Sequence, residues 1–265
     1  MRCLDLTLPT PAENLALDEA LLDEAEAAGR PLETLRLWES DVPMVVVGRS
    51  SPIQSEVSVE YCRAAGIPVL RRSSGGAAVV IGPGCLMYAL VLSFQRNPAL
   101  RAIHHAHELV LETIAAALRP AIPEVVHRGT CDLAVDLAGL FHGLQPSFPP
   151  PLPETCERRI ARAVKKFSGN SVRAKRDHLL YHGTILYQFP LDLISRCLKT
   201  PLRQPDYRQD RSHEDFVANL PMARDAIRQA LVRAWQATEP CRDWPRELTA
   251  ELVRRRYGLA EWNEG

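Results

Sequence analysis

The residues best suited to chemistry in this chain fall in two short runs. The first is Arg71-Arg72-Ser73-Ser74-Gly75-Gly76-Ala77-Ala78-Val79-Val80, where two guanidinium groups precede residues with little or no side chain. Paired glycines let backbone amides approach an anion or an acyl chain closely, and an arginine fork matches a phosphate. Taken alone, the run reads equally well as a tight Gly-Gly turn between two strands. It is not a P-loop, because the Gly-Lys-Ser/Thr ending is missing. The second run is Lys166-Phe167-Ser168-Gly169-Asn170-Ser171, followed by Tyr181-His182-Gly183-Thr184. A lysine just ahead of a Ser-Gly-Asn turn can neutralise charge developing on a phosphate or a carboxylate. The plain alternative is one more solvated lysine in a basic stretch that includes Arg158, Arg162, Lys165, Arg173 and Lys175.

The elements that must position these runs follow from periodicity and punctuation. Asn14 to Ala28 reads as a helix with leucines near helical spacing and acidic residues between them. Leu35–Trp38 and Met44–Gly48 read as strands separated by Asp41-Val42-Pro43. Val57–Ala65 is a short helix stopped by Gly66 and Pro68. Val69–Arg72 starts a strand that enters the small-residue run, and Cys85–Phe94 is a strongly apolar strand. His105–Leu118 is the clearest helix. Asp132–Val135 and Thr184–Tyr187 are strand candidates, and Leu191–Leu198, Met222–Thr238 and Leu248–Tyr257 are helical. Hairpin-like neighbours outnumber crossovers, so the expected fold is α+β, a mixed and largely antiparallel sheet flanked by helices. Gln145–Pro153 holds five prolines in nine residues, which marks 136–165 as an insertion or loop within one catalytic domain spanning 1–265.

Composition narrows the function classes. The chain has 265 residues, and 32 basic residues balance 32 acidic ones, which gives no support for a nucleic-acid or membrane-surface partner. No apolar stretch approaches the roughly 20 residues that span a bilayer. Seven scattered cysteines without a CxxC pair argue against disulfides and structural zinc, and point to a reducing compartment, the cytoplasm. His104-His105-Ala106-His107 with Glu108 lacks a further ligand set and reads as a solvated helix start rather than a metal site. Arg203–His213 reads as a surface connection, or as a docking patch for a carrier protein.

Six blocks in order give the chain a resemblance to the lipoate–protein ligase A family, the biotin/lipoate ligase catalytic domain related to octanoyltransferases. They are Asn14-Leu15-Ala16, Val47-Gly48-Arg49, Arg71 to Val79, Asp132-Leu133, Lys166 to Gly169, and His182-Gly183-Thr184. Tyr257-Gly258 with Trp262-Asn263 extends the match to the domain end. The resemblance implies an enzyme that activates lipoate or octanoate with ATP and Mg2+ as an acyl-adenylate. The acyl group then passes to a lysine of a lipoyl-carrier protein. It implies Lys166 as the catalytic lysine and Arg72, Ser74, Gly75, Gly76, Ala77, Ala78, Val79, Val80, Ser168, Gly169, Ser171 and His182 around the adenylate and acyl group. Arg72 and the loop amides would hold the phosphate, and Asp132 would assist catalysis or contact the magnesium, there being no dedicated metal site. Val79, Val80 and Leu86 would form the slot for the tail.

The chain departs from the pattern in three places. Ala77 replaces a third glycine, which requires a negative φ there. Val80-Ile81-Gly82 replaces an aromatic-His-Asp, and Cys131-Asp132 replaces Asn-Asp. The last change opens a second reading, an ATP-independent octanoyl or lipoyl transferase with Cys131 as nucleophile; the plainer reading of Cys131 is a small buried hydrophobe, as free cysteine usually is. The resemblance also implies that a C-terminal accessory domain is missing. That leaves room for a separate accessory subunit, and for the alternative that the chain is itself a non-catalytic acyl-binding partner.

Overall fold

A computed structural model describes residues 1–137, 164–201 and 203–265. The Pro-rich run Gln145–Pro153 lies outside the described residues. The expected insertion limits at 136 and 165 fall within strands, since Asp136 pairs with Val164 and Val135 with Lys165.

The chain opens with strand β1 (Arg2–Asp5) and helix α1 (Pro11–Ala27). Thr10 starts α1 with a reciprocal capping box: its hydroxyl accepts from the Glu13 amide while the Glu13 carboxylate accepts from the Thr10 amide, and Pro11 follows at the first helical position. Strands β2 (Thr34–Trp38) and β3 (Met44–Val47) come next, followed by helices α2 (Ile53–Glu56) and α3 (Val59–Ala64). Then come β4 (Val69–Arg71), β5 (Val79–Ile81), β6 (Cys85–Ser93), α4 (Ile103–Leu118), β7 (Val125–Arg128) and β8 (Asp132–Asp136). Beyond the connection lie β9 (Val164–Ala174), β10 (His178–Leu186), α5 (Asp192–Cys197) and α6 (His213–Phe216). Helix α7 (Arg224–Ala234), β11 (Glu239–Pro240), α8 (Arg246–Leu252) and α9 (Ala260–Glu264) complete the order.

Eight strands form one sheet in the order β11-β1-β2-β6-β10-β9-β8-β7, and β4-β3-β5 form a second. β1 runs parallel to β2 and β11, and the other neighbours in the large sheet are antiparallel. The α+β mixed sheet expected from the sequence is therefore the architecture observed.

Alternation along β6 divides the core. Leu86, Tyr88 and Leu90 pack with α4 and α7 on one side, while Cys85 and Met87 join Val45, Val47, Val80 and Phe216 on the other. That second cluster surrounds the site.

The sequence reading needs correction in three places, and the burial of two acidic residues on α1 is added to it. Lys166–Ser171 is not a turn but lies within the eleven-residue β9, and β10 begins at His178 rather than Thr184. Gly169, Asn170 and Ser171 look like turn residues, yet each pairs across to β8 or β10. Asp18 and Glu19 are buried on α1. His107 is also buried, its Nδ1 lying 2.8 Å from Tyr181 Oη, so only the His104 and His105 end of that run is solvated.

Candidate active site

Lys166 owes its position to a break in strand register. Leu133 faces Ser168 and Ala134 faces Lys166, so Phe167 is the extra residue of a bulge. A bulge re-aims side chains locally. Phe167 enters the core behind the sheet, while Lys166 reaches toward the cavity. Its ammonium lies 2.7 Å from Asp132 Oδ1, and Tyr207 Oη donates to Asp132 Oδ2 at 2.8 Å. Gly169 leaves room for this arrangement, since a Cβ there would sit 3.0 Å from Lys166 Nζ.

The glycine run forms a bend against the end of β9. Gly76 has φ +90°, a conformation that favours glycine, and Ala77 stays out of the positive-φ region as its methyl requires. Gly48 permits the close approach behind the bend, because a Cβ at that position would meet the Gly76 carbonyl oxygen at 1.9 Å. Ser171 Oγ donates to the Gly75 carbonyl at 2.8 Å and the Ala78 amide donates to Glu56 at 2.6 Å, pinning both shoulders.

Arg72 holds this bend from inside. Its guanidinium donates to Ser74 Oγ, Val46 O, Gly75 O and Ala77 O at 3.1, 3.2, 2.5 and 3.1 Å. Four of its five N–H groups are thus committed to the protein. Burial pushes its pKa down to about 10, which leaves it charged at neutral pH. The expectation that Arg72 grips a phosphate is revised accordingly: it shapes the loop that would. Arg71 is structural as well. It donates to the carbonyls of Gly48, Ser51 and Trp262, and its own backbone carries the bonds to Trp262 and Asn263 that close the chain's C-terminal end.

These pieces enclose one cavity of about 410 Å³. Arg72, Gly76, Ala77, Ala78, Val79, Val80, Cys131, Asp132, Lys166, Ser168, Gly169, Ser171 and His182 all line it. Ser74 and Gly75 do not: Ser74 is buried behind the wall, and Gly75 looks outward. The apolar end is built by Leu15, Val46, Val80, Met87, Leu186 and Phe216. Leu86 belongs to the core on the opposite face of β6, so Met87 takes the place expected of it.

Burial pushes the Cys131 thiol up, the Asp132 charge adds to this, and Lys166 only partly opposes it. Burial and then Asp132 likewise raise the Tyr207 hydroxyl far above its usual range.

Sequence reasoning missed Tyr207 and Glu56, and gave Asn170 no part beyond a turn. Asn170 donates to the Cys131 carbonyl at 2.8 Å and accepts from the Tyr88 hydroxyl, fixing the strand ends beside Asp132. The Arg203–His213 segment is not a simple surface connection. Arg208 and Arg211 are buried, both stack on Phe216, and Gln204, Pro205 and Arg208 face the cavity. A tyrosine just ahead of two arginines was the available signal. Among the described residues no group of three His, Cys, Asp or Glu side chains is arranged to hold a metal, and no helix is long and apolar enough to cross a membrane.

The sequence model described as "Lipoyl protein ligase A/B catalytic domain" matches residues 10–235. "Lipoate-protein ligase A subunit 1" of Thermoplasma acidophilum is 24% identical over 274 residues, covering 98% of this chain and 95% of the relative. "Octanoyltransferase LipM" of Carboxydothermus hydrogenoformans is 26% identical over 268 residues, covering 95% and 93%. Among solved structures, a bi-partite lipoate protein ligase studied with its E2 lipoyl domain, from Thermoplasma acidophilum, superposes with a TM-score of 0.75. It is 24% identical and covers 100% of this chain and 96% of its own.

Proposed function

The chain belongs to the lipoyl protein ligase A/B catalytic-domain family, and from that premise we propose that it activates lipoate or octanoate with ATP and passes the acyl group to a lysine of a lipoyl-carrier domain. One observation carries the reading: the Lys166 ammonium and the Arg72–Val80 bend share a cavity whose other end is apolar. Burying the tail there contributes about 0.8 kcal/mol per CH₂. Lys166 then meets the carboxylate where the tail ends, and it stabilises negative charge as the acyl phosphate forms. The Gly76-Ala77 backbone offers close approach to the phosphate, and open space in front of Gly75 leaves room for the rest of a nucleotide. ATP supplies the adenylyl group and the pyrophosphate leaving group.

Asp132 holds Lys166 with one oxygen and accepts from the Tyr207 hydroxyl with the other. Its work is to orient Lys166. A thioester route through Cys131 has one observation in its favour, that the residue lines the cavity. Its raised thiol and the carboxylate beside it favour the adenylate route instead, because the thiolate is the nucleophile. The likeness to a bi-partite ligase supports a further part of the proposal, a separate accessory chain that assists adenylation.

The test supplies ATP, magnesium, lipoate and an apo carrier domain, and follows pyrophosphate release and carrier mass. A parallel arm supplies pre-formed lipoyl-adenylate, which bypasses any need for an accessory chain. Carrier lipoylation is expected in the second arm at least. Lys166→Ala should reduce it by roughly 100-fold or more. Carrier acylation from an octanoyl thioester without ATP, lost in Cys131→Ser, would replace this proposal with the transferase. Acyl binding with no transfer from any donor would leave a partner subunit.

A further inference from the structure

Behind the cavity wall runs a line of buried polar groups that the proposed chemistry does not use. It starts at Arg36, which is fully enclosed and donates to Asp18 Oδ1 at 2.5 Å, to Asn14 and to the Leu6 carbonyl. The second Asp18 oxygen, Oδ2, is buried without a hydrogen bond among the described residues. It faces His182 Nδ1 at 3.7 Å. The other ring nitrogen, Nε2, lies 2.6 Å from Ser74 Oγ, and that oxygen accepts from Arg72 Nε at 3.1 Å. Arg72 in turn grips the carbonyls of Gly75 and Ala77. A line of polar groups therefore joins helix α1 to the glycine bend, hydrogen-bonded throughout except at the 3.7 Å charge contact between Asp18 and His182.

The order serine, histidine, carboxylate is that of a hydrolase triad, but the environment is not. Ser74 is only 2% exposed and is absent from the cavity wall, and an arginine N–H already points at its oxygen. No acyl carbonyl can reach it.

We propose that Asp18, His182 and Ser74 form a positioning relay that fixes Arg72 and, through it, the Gly75–Ala77 bend against which the acyl phosphate forms. The lone Asp18 oxygen selects the His182 tautomer that carries its proton on Nδ1. Nε2 is then free to accept the Ser74 hydroxyl proton, which turns a serine lone pair toward Arg72 Nε. A buried carboxylate facing one ring nitrogen is the usual device for fixing the job of the other. Loss of any member removes or misdirects one of the four bonds that hold the guanidinium, and the bend shifts at the anionic head of the substrate while the apolar end is untouched. The inference rests on the proposed acyl activation.

The experiment has a kinetic arm and a spectroscopic arm. Asp18→Asn, Ser74→Ala and the double variant are assayed for lipoate-dependent pyrophosphate release and for lipoate binding. Each single variant should lose about tenfold in rate while lipoate binding changes less than about twofold, and the double should be no slower than the worse single. Rates in the double that fall by the product of the singles, about 100-fold, would overturn the relay. Nitrogen-15 spectra of wild-type His182 should show Nδ1 protonated and Nε2 bare; the reverse tautomer would also overturn it. Asp18→Asn removes the counter-ion of Arg36; if that variant does not fold, Ser74→Ala keeps the Asp18–Arg36 pair and should still lose rate without losing lipoate. The tautomer is read without turnover, so a chain that releases no pyrophosphate sinks the functional reading while the spectrum judges the relay.

Discussion

Lys166 and Cys131 border the same cavity, and their surroundings assign them different parts. The lysine is held by a carboxylate that is itself held by Tyr207, a preorganised charge of the kind that stabilises a developing anion. The cysteine beside it is pushed toward its neutral thiol by burial and by that same carboxylate. Cys131→Ser is therefore expected to keep ligase activity within about threefold of wild type at neutral pH, measured as carrier mass against time. A loss of 100-fold would mean that the sulfur is covalently involved. At this scale the sequence was most legible for groups named by type: Lys166, Asp132, Gly76 and Gly169 border one cavity. It was least legible for Arg72, whose charge invites a ligand but whose hydrogen bonds turn inward, and for Leu86, which a single step along a strand moves to the opposite face.

At the scale of elements, the site depends on how α1, β9 and the C-terminal segment are tied together. Glu19 on α1 receives Arg173 from β9 at 2.9 Å, Arg256 at 2.5 Å and the Tyr257 hydroxyl at 2.6 Å. Burial by itself would raise that carboxyl, but the bonds from Arg256 and Tyr257 and the Arg173 charge hold it below its usual range. Protons thus bind Glu19 more readily in the unfolded chain. Its contribution is present above the unfolded value of about 4.3 and is lost as pH falls through the lower folded value. The melting-temperature advantage of wild type over Glu19→Gln should be full at pH 6 and shrink below about pH 4. An advantage that stays constant across that range would contradict this clasp. Sequence periodicity found most of the elements, but it placed acidic residues between the leucines of α1 without showing that two of these carboxylates are buried against arginines distant in sequence. The eleven residues of β9 were hidden because Ser168, Gly169 and Asn170 are turn formers, and only pairing on both sides makes them a strand.

Across the whole molecule, two sheets divide the labour. The large sheet carries Lys166, Asp132 and His182, and the small one carries the bend between β4 and β5; the apolar cluster they share becomes the slot for the tail. A slot filled by methylenes predicts a graded response to chain length. Hexanoate, shorter than octanoate by two CH₂ groups, should bind weaker by about 1.6 kcal/mol, roughly 15-fold in Kd by calorimetry. Equal affinities would mean that the tail lies outside the apolar end. Five of the six ordered motif blocks place residues at the cavity and the sixth, Val47-Gly48-Arg49, backs the glycine bend, whereas the Arg203–His213 segment carries no such motif and still reaches the cavity beside Phe216.

The most direct measurement is a crystal structure of the chain with lipoate bound. The carboxylate is expected within ion-pair reach of Lys166 Nζ beside the Gly76-Ala77 bend, and the dithiolane among Val80, Met87 and Leu186. Lipoate seated elsewhere, with Lys166 still closed on Asp132 and the apolar end empty, would contradict this expectation.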